Sequence, residues 1–421
     1  MLKVIRNNAF ARNSLILFAG SMVANILGYL FHLAIGRMVS IETYGEVESL
    51  ISLLSIISIP AAALGMIATK YSASSKAEND FGSSLKLIKY LNKKVFTYGL
   101  PIFILALILT PVARNFLKIE GNTAIIILWL MMFLSFFASV TGGVLNGWQK
   151  FKESSYAGIL GGIAKLIFGI FFVKLGFSLN GIIGSFALGV FFSYLVTFYF
   201  LRFVFKNSQE NIGSEKNIIN LKSVRSYALP ALFGNLAITI LGNADMVLAK
   251  HNLDPATAGQ YGALTIVSKI IFFATGTIAT VLFSMSAEDS HNNKDSLRIL
   301  RNATFLMLAI SIFSVIVYFL FPKLILSLLF GNKYNSVAHY LGWFAILVTF
   351  FSLVNLISQY MLSIHKTRFV YGLLAISLLS IISILFMGKS ISAIIGIMIT
   401  TQILAIIGSL FFLVSNKKQY E

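Results

Sequence analysis

Residues 20–50 read GSMVANILGYLFHLAIGRMVSIETYGEVESL, and residues 234–264 read GNLAITILGNADMVLAKHNLDPATAGQYGAL. Placed one above the other at a shift of 214, Gly20, Ile26, Leu27, Gly28, Thr43, Gly45 and Leu50 fall on Gly234, Ile240, Leu241, Gly242, Thr257, Gly259 and Leu264. The same shift carries Lys152, Gly158 and Leu160 onto Lys366, Gly372 and Leu374. A match that persists so far downstream without a net gap is more than apolar composition produces. It indicates one helical unit used twice, the construction by which many transporters build a site that can face either side of a membrane.

What surrounds these stretches sets the class. The chain of 421 residues is 57% hydrophobic and 11% charged, with a mean hydropathy of +0.85, far outside the range of soluble domains. With about 20 residues needed per span, twelve apolar segments are expected: 14–36, 46–69, 94–114, 123–146, 155–173, 179–203, 226–249, 259–285, 302–322, 338–362, 369–387 and 390–414. They leave no room for a separate soluble domain. Each must be helical, because lipid offers backbone amides no partner. The expected fold is therefore an all-α polytopic membrane protein of twelve transmembrane helices. It comprises an N-terminal six-helix bundle (1–204), a cytoplasmic linker (205–225) and a C-terminal six-helix bundle (226–421). The first span lacks a small-residue cleavage site and reads as a retained helix.

An even number of spans puts both termini on one side. That side collects 23 lysines and arginines, including six lysines between Lys70 and Lys94, against eight on the other, Lys250 among them, and is the cytoplasmic one. The net charge of +18 is mostly this bias, with anionic membrane lipids rather than nucleic acid as its counter-surface. The polar stretch 205–225 falls where the repeat requires a join. Its end, 218–224, and the segment Leu85 to Lys94 mix apolar and basic residues and are expected to lie on the membrane surface as short anchoring helices. Outer loops are short, the longest running from Lys323 to Val337, which weighs against a membrane glycosyltransferase, polymerase or ligase. The halves share an echo there: Pro111 precedes Gly121 and Asn122 as Pro322 precedes Gly331 and Asn332. Glycines within spans, Gly142, Gly143, Gly147, Gly161 and Gly189 among them, suit close helix packing. Pro60 inside the second span predicts a kink.

Signatures of catalysis are missing from the sequence. There is no cysteine, hence no thiolate metal site or nucleophile, and the five histidines have no metal-ligand spacing. Gly388-Lys389-Ser390 imitates the end of a phosphate loop, but Ser383 stands where its first glycine belongs and the triplet falls in an external hairpin. No cofactor is expected and no enzyme activity. The informative residues are charges at membrane depth. Lys165 is near the centre of the fifth span and Lys269 near that of the eighth, each placed there at about 2.5–3.5 kcal/mol on insertion scales. An ammonium is tolerated at that depth facing water, an anionic ligand, or a partner such as Asp245. Arg37, Glu46, Glu48 and His32 lie closer to the outer interface, where end-of-helix charges reach water easily.

Several stretches resemble the polysaccharide-transporter family of the multidrug/oligosaccharidyl-lipid/polysaccharide flippase superfamily. Gly36-Arg37-Met38 with Glu42-Thr43-Tyr44-Gly45 looks like that family's opening. Leu64-Gly65-Met66 through Thr69-Lys70-Tyr71 resembles its second-helix ending. Leu145-Asn146-Gly147 with Lys150-Phe151-Lys152 resembles its fourth-to-fifth helix loop, and Ser226-Tyr227-Ala228-Leu229-Pro230 its entry to the seventh helix. Asp245 is similar to the acid near that helix's end. Each motif is loose, and their order along the whole chain carries the resemblance. It implies a bacterial inner-membrane flippase for polyprenyl-diphosphate-linked oligosaccharide repeat units of O-antigen or capsule type, working by alternating access. The pathway's polymerase and chain-length regulator are the implied partners.

Physical chemistry agrees. Stripping a sugar hydroxyl of water without a replacement costs about 4–8 kcal/mol, so a polar path must shield the headgroup while the tail stays in lipid. Lys269, Lys165 and Arg37 are the candidates to meet the diphosphate. Asp245, Glu48 and His32 are the candidates for ion coupling. Two alternatives stand beside this reading. A cation-coupled drug exporter shares the helix layout but would favour acidic residues at mid-membrane. A non-transporting assembly partner would have no use for buried lysines.

Overall fold

The computed structural model describes residues 9–208, 221–291, 297–364 and 366–415. Among these every regular element is helical, as a chain in lipid requires. In order they are α1 Ala9–Met38, α2 Ile41–Ile57, α3 Ile59–Ala77, α4 Phe81–Lys94, a π-turn Val95–Gly99, α5 Leu100–Ile108, α6 Thr110–Leu117, α7 Thr123–Gly147, α8 Phe151–Lys174, α9 Ser178–Phe200 and α10 Arg202–Asn207. After the join come α11 Leu221–Asn252, α12 Pro255–His291, α13 Leu297–Leu320, α14 Pro322–Phe330, a 3-10 helix Asn332–Tyr340, α15 Leu341–Ser363, α16 Phe369–Met387 and α17 Ile391–Ser415. Eleven spans are long and apolar enough to cross a membrane, and the bent pair α2–α3 makes the twelfth. Large apolar side chains remain outward-facing along them, Phe305 (76% exposed), Phe386 (72%) and Phe313 (69%) among them. This is the surface of a protein solvated by lipid.

Pro60 acts as its position predicts. The helix breaks at Ser58, and the amides of Ala61 and Ala62 both turn back to the Ser58 carbonyl. In the third span the sequence reading needs correction. Leu85 to Lys94 is not a separate surface anchor: α4 runs through the π-turn into α5, so that 81–108 forms one span. The π-turn sits just before Pro101, whose missing N–H leaves the carbonyl of residue 97 without its usual partner. The apolar face of α4 is covered by protein rather than lipid. Leu87, Ile88 and Leu91 join Val144, Leu145 and Val204 in one core. The Trp148 ring stacks on Phe81 at 4.5 Å, and its Nε1 donates to Ser84 Oγ at 2.9 Å. Lys86, Lys89 and Lys93 face outward. Of the anchor expected over 218–224, residues 218–220 lie outside the described residues and 221–224 open the long helix α11. Most of the linker, with Glu210 and Lys216, and the terminal lysines Lys3, Lys417 and Lys418 also lie outside the described residues.

The outer segment from Lys323 to Val337 is not a loop either. It folds as α14 and the 3-10 helix, with Leu326, Phe330 and Tyr334 buried. The echo between halves has a structural meaning. Pro111 and Pro322 each open a short helix in the first turn, where a missing N–H costs nothing. Gly121 and Gly331 then turn the chain at φ +80° and +86°, which favours glycine. Gly388-Lys389-Ser390 lies between α16 and α17, where Asn252 Nδ2 donates to the carbonyls of Ile384 (2.6 Å) and Gly388 (3.1 Å).

Packing divides the chain into two units: Met1–Val39 with Ile57–Ala228, and Ser40–Ile56 with Leu229–Glu421. They depart at one place from a simple cut at residues 205–225, because α2, from the first repeat, packs with the second unit. In the first unit Gly161 and Gly189 bring α8 and α9 into contact: a Cβ on Gly161 would stand 2.7 Å from the Gly189 carbonyl oxygen. In the second unit α2 crosses α12 at Gly45 and Gly259, the very pair the repeat equates. A Cβ on Gly45 would stand 2.7 Å from the Gly259 nitrogen. Tyr44, fully buried, meets Phe330 and Tyr334 with ring centroids 5.4 and 6.2 Å away. The repeat extends to the caps. Ser40 Oγ accepts from the Thr43 amide at 3.2 Å, and Asp254 Oδ1 accepts from the Thr257 amide at 3.0 Å. Each satisfies a first-turn donor of its helix. The Thr257 hydroxyl and amide together hold the Asp254 carboxyl below its usual value, so this cap is complete at neutral pH and weakens only in acid.

Candidate functional site

The second unit holds three of the six candidates, Lys269, Asp245 and Glu48. On α12, Lys269 is partly buried, and its Nζ donates to Asn243 Oδ1 of α11 at 3.2 Å. Asn243 is itself positioned, its Nδ2 donating to the Thr239 carbonyl at 3.0 Å. The pairing of Lys269 with Asp245 that would have made this lysine structural does not form. Asp245 instead accepts from the Tyr261 hydroxyl at 2.7 Å through Oδ2. Its other oxygen is buried without a hydrogen-bond partner among the described residues. A buried carboxylate oxygen left bare is destabilising unless a proton or cation meets it.

Glu48 of α2 belongs to the same neighbourhood. It is 2% exposed, and a Cβ on Gly262, next to Tyr261, would come within 3.2 Å of its Cβ and Cγ. The absence of a side chain at Gly262 makes the room. A further ion pair, not singled out by the sequence, joins α11 to α2. Lys250 Nζ stands 3.5 Å from Glu46 Oε1, with the lysine side chain 1% exposed. Lys250 had read as one of the basic residues of the outer rim. Its position in the last turn of α11 places it there, but packing of α2 against this unit buries it. The only hint in sequence is that Val247-Leu248-Ala249 lead into it without a polar residue.

The first unit holds the others. Lys165 of α8 projects over two rings, 4.9 Å from the Phe31 centroid and 4.6 Å from that of Phe186. Gly28 leaves space beside it, 3.9 Å from the ammonium to where a Cβ would be. Rings within about 6 Å stabilise a cation through their quadrupoles, which favours this lysine at membrane depth. His32 packs edge-on to the same rings, at 5.6 and 6.4 Å. Arg37 is exposed in the last turn of α1, where a cation complements the helix dipole. Thus the lysines divide between the two units, Lys165 with His32 and Lys269 with Asn243, while the two acids Asp245 and Glu48 accompany Lys269. Among the described residues no cluster of three or more histidines or acids has the arrangement of a metal site.

Up to twelve spans among the described residues, several carrying charged side chains at membrane depth, define a polytopic membrane protein. The profile of the polysaccharide biosynthesis protein family matches residues 10–288, and that of the MatE family matches residues 230–387. The chain belongs to the polysaccharide biosynthesis protein family. Its fold is similar to the inward-facing form of a multidrug resistance MATE transporter, with 17% identity, 93% of this chain and 94% of that one covered, and a TM-score of 0.73. It is also similar to the lipid II flippase MurJ in an inward closed form, with 19% identity, coverage of 96% and 87%, and a TM-score of 0.66. The outward-facing form of the MATE transporter matches with a TM-score of 0.61 at 16% identity. No protein of curated function matches the sequence.

Proposed function

We propose that this protein flips polyprenyl-diphosphate-linked oligosaccharide repeat units, of O-antigen or capsule type, across the bacterial inner membrane by alternating access. The observation that carries the reading is the pair of mid-span ammonium groups. Lys269 is held by a neutral amide rather than a carboxylate, and Lys165 by aromatic rings. The amide contact does not neutralise the Lys269 ammonium, which stays suited to an anionic diphosphate. An exporter of cationic drugs would be poorly served by them. Polysaccharide biosynthesis family membership favours a lipid-linked glycan as the cargo.

Asp245 and Glu48 are the groups through which an ion gradient drives the cycle, with His32 as a third. The bare Asp245 oxygen favours this role. The same oxygen also suits a second reading, a cation-coupled drug exporter, so the cargo must be tested directly. Deleting the gene is expected to stop surface glycan while lipid-linked repeat units accumulate on the cytoplasmic face. Intact surface glycan together with heightened sensitivity to cationic drugs would replace this reading with the exporter. Both termini are proposed to be cytoplasmic, from the distribution of lysine and arginine. Reporter fusions after Glu210 and after Lys418 should both read cytoplasmic, and a periplasmic signal from either overturns the orientation.

A further inference from the structure

Two of the stretches that carry the family resemblance, in the middle of α3 and toward the end of α7, face each other across a cavity of about 510 Å³ in the first unit. Small-molecule sites span roughly 300–1,000 Å³. Gly65, Thr69 and Lys70 line it from α3, and Ser139, Gly142 and Asn146 from α7. Glycine builds it. A Cβ on Gly143 would stand 2.5 Å from the Gly65 carbonyl oxygen, so the two helices touch backbone to backbone there. At the next position, Gly142, no atom lies within 4 Å of where a Cβ would be. Contact on one face and a void on the adjacent one make a groove.

Among the glycines and Met66 of its mainly apolar lining stand a few polar groups. The Asn146 side-chain oxygen is buried and has no hydrogen-bond partner among the described residues. The Thr69 hydroxyl donates to the Gly65 carbonyl at 2.9 Å and keeps acceptor capacity. Lys70 is exposed at the rim. A buried amide oxygen without a donor is unfavourable, and a ligand hydroxyl or amide N–H removes the penalty. A nearby ammonium adds a requirement for negative charge. The ligand chemistry that meets both is a polyhydroxylated group next to a phosphate.

We propose that the groove between α3 and α7 is a headgroup subsite, holding the sugar-phosphate end of the lipid-linked substrate beside Lys70. This rests on the flippase reading above and adds to it a site outside the mid-span lysines. The test is binding of an N-acetylglucosaminyl diphosphate carried on a farnesyl chain to the purified full chain in phosphatidylcholine nanodiscs, with and without phosphatidylglycerol. Gly142→Leu places its first carbon in open space and is a better helix former than glycine. It is expected to insert normally and weaken binding about tenfold or more. Lys70→Gln is expected to weaken the diphosphate probe while leaving an uncharged glycosyl farnesyl ether unaffected. Unchanged affinity in Gly142→Leu, where wild type binds, overturns the groove and leaves the flippase reading intact. Displacement of the probe by phosphatidylglycerol assigns the groove to a phospholipid headgroup and also overturns the proposal. Absence of any binding by wild type, with surface glycan intact in the deletion strain, overturns both.

Discussion

Lys269→Glu is expected to abolish glycan export at normal levels of inserted protein. The Lys269 ammonium sits on Asn243 Oδ1 at 3.2 Å and makes no ion pair among the described residues. Removing it therefore strands no carboxylate. Substitution by alanine even relieves the insertion cost of about 2.5–3.5 kcal/mol that a mid-span lysine carries. Loss of export in Lys269→Ala thus reports loss of a ligand contact rather than of folding. A graded series follows from the chemistry. Lys269→Arg keeps the charge in a planar, forked shape and should retain part of the export. Lys269→Ala and Lys269→Glu should retain none. The readouts are surface glycan and membrane-extracted protein measured on the same cells. Disappearance of the alanine variant from the membrane would make the residue structural, and normal export by Lys269→Glu would remove it from the mechanism.

The largest effect on stability is expected at Gly259. A Cβ there would collide with the Ile41 carbonyl oxygen, and one on Gly45 would stand 2.8 Å from the Gly259 Cα. Both obstacles are backbone, which cannot swing aside as a side chain can. Overpacking a core commonly costs about 1–3 kcal/mol, and a backbone-on-backbone crossing belongs at the upper end. Displacing α2 would also pull Tyr44 from Phe330 and Tyr334 and Glu46 from the buried Lys250. Removing one partner of a buried ion pair is costly in its own right. Gly259→Leu should lower the melting temperature of the purified protein markedly. Gly396→Leu should leave it near wild type, because nothing lies within 4 Å of that Cβ position. Equal melting of the two variants would sink the assignment of Gly45–Gly259 as an obligatory close crossing.

These glycines also show how a sequence pattern and a structure divide the explanation. Glu42-Thr43-Tyr44-Gly45 reads as part of a family opening, and its repeat partner Thr257-x-Gly259 marks the same place in the second half. The residues prove to be docking hardware: a cap, a buried ring and a close crossing. Leu64 to Tyr71 and Leu145 to Gly147, read in the same way, border the groove argued above. Lys165 and Lys269 stood out because a charge inside an apolar run is visible one-dimensionally. Their companions did not, since Phe31, Phe186 and Asn243 are unremarkable until folding brings them alongside. Lys250 was misread for the converse reason. A lysine at the end of a span ordinarily reaches water, and only the arrival of α2 seals it off.

By itself the sequence determined the membrane class, the twelve spans, the repeat and the break at Pro60. Hydropathy, periodicity and proline chemistry act over a few residues to one span, and they are written locally. Tertiary structure alone decided that α2 packs with the second unit, that Leu85 to Lys94 buries its apolar face in protein, and that Asp245 chooses Tyr261 over Lys269. In those cases competing partners are all chemically adequate. The choice falls to which surfaces close packing brings into contact, and segments as far apart as Glu46 and Lys250 meet only once the whole unit has formed.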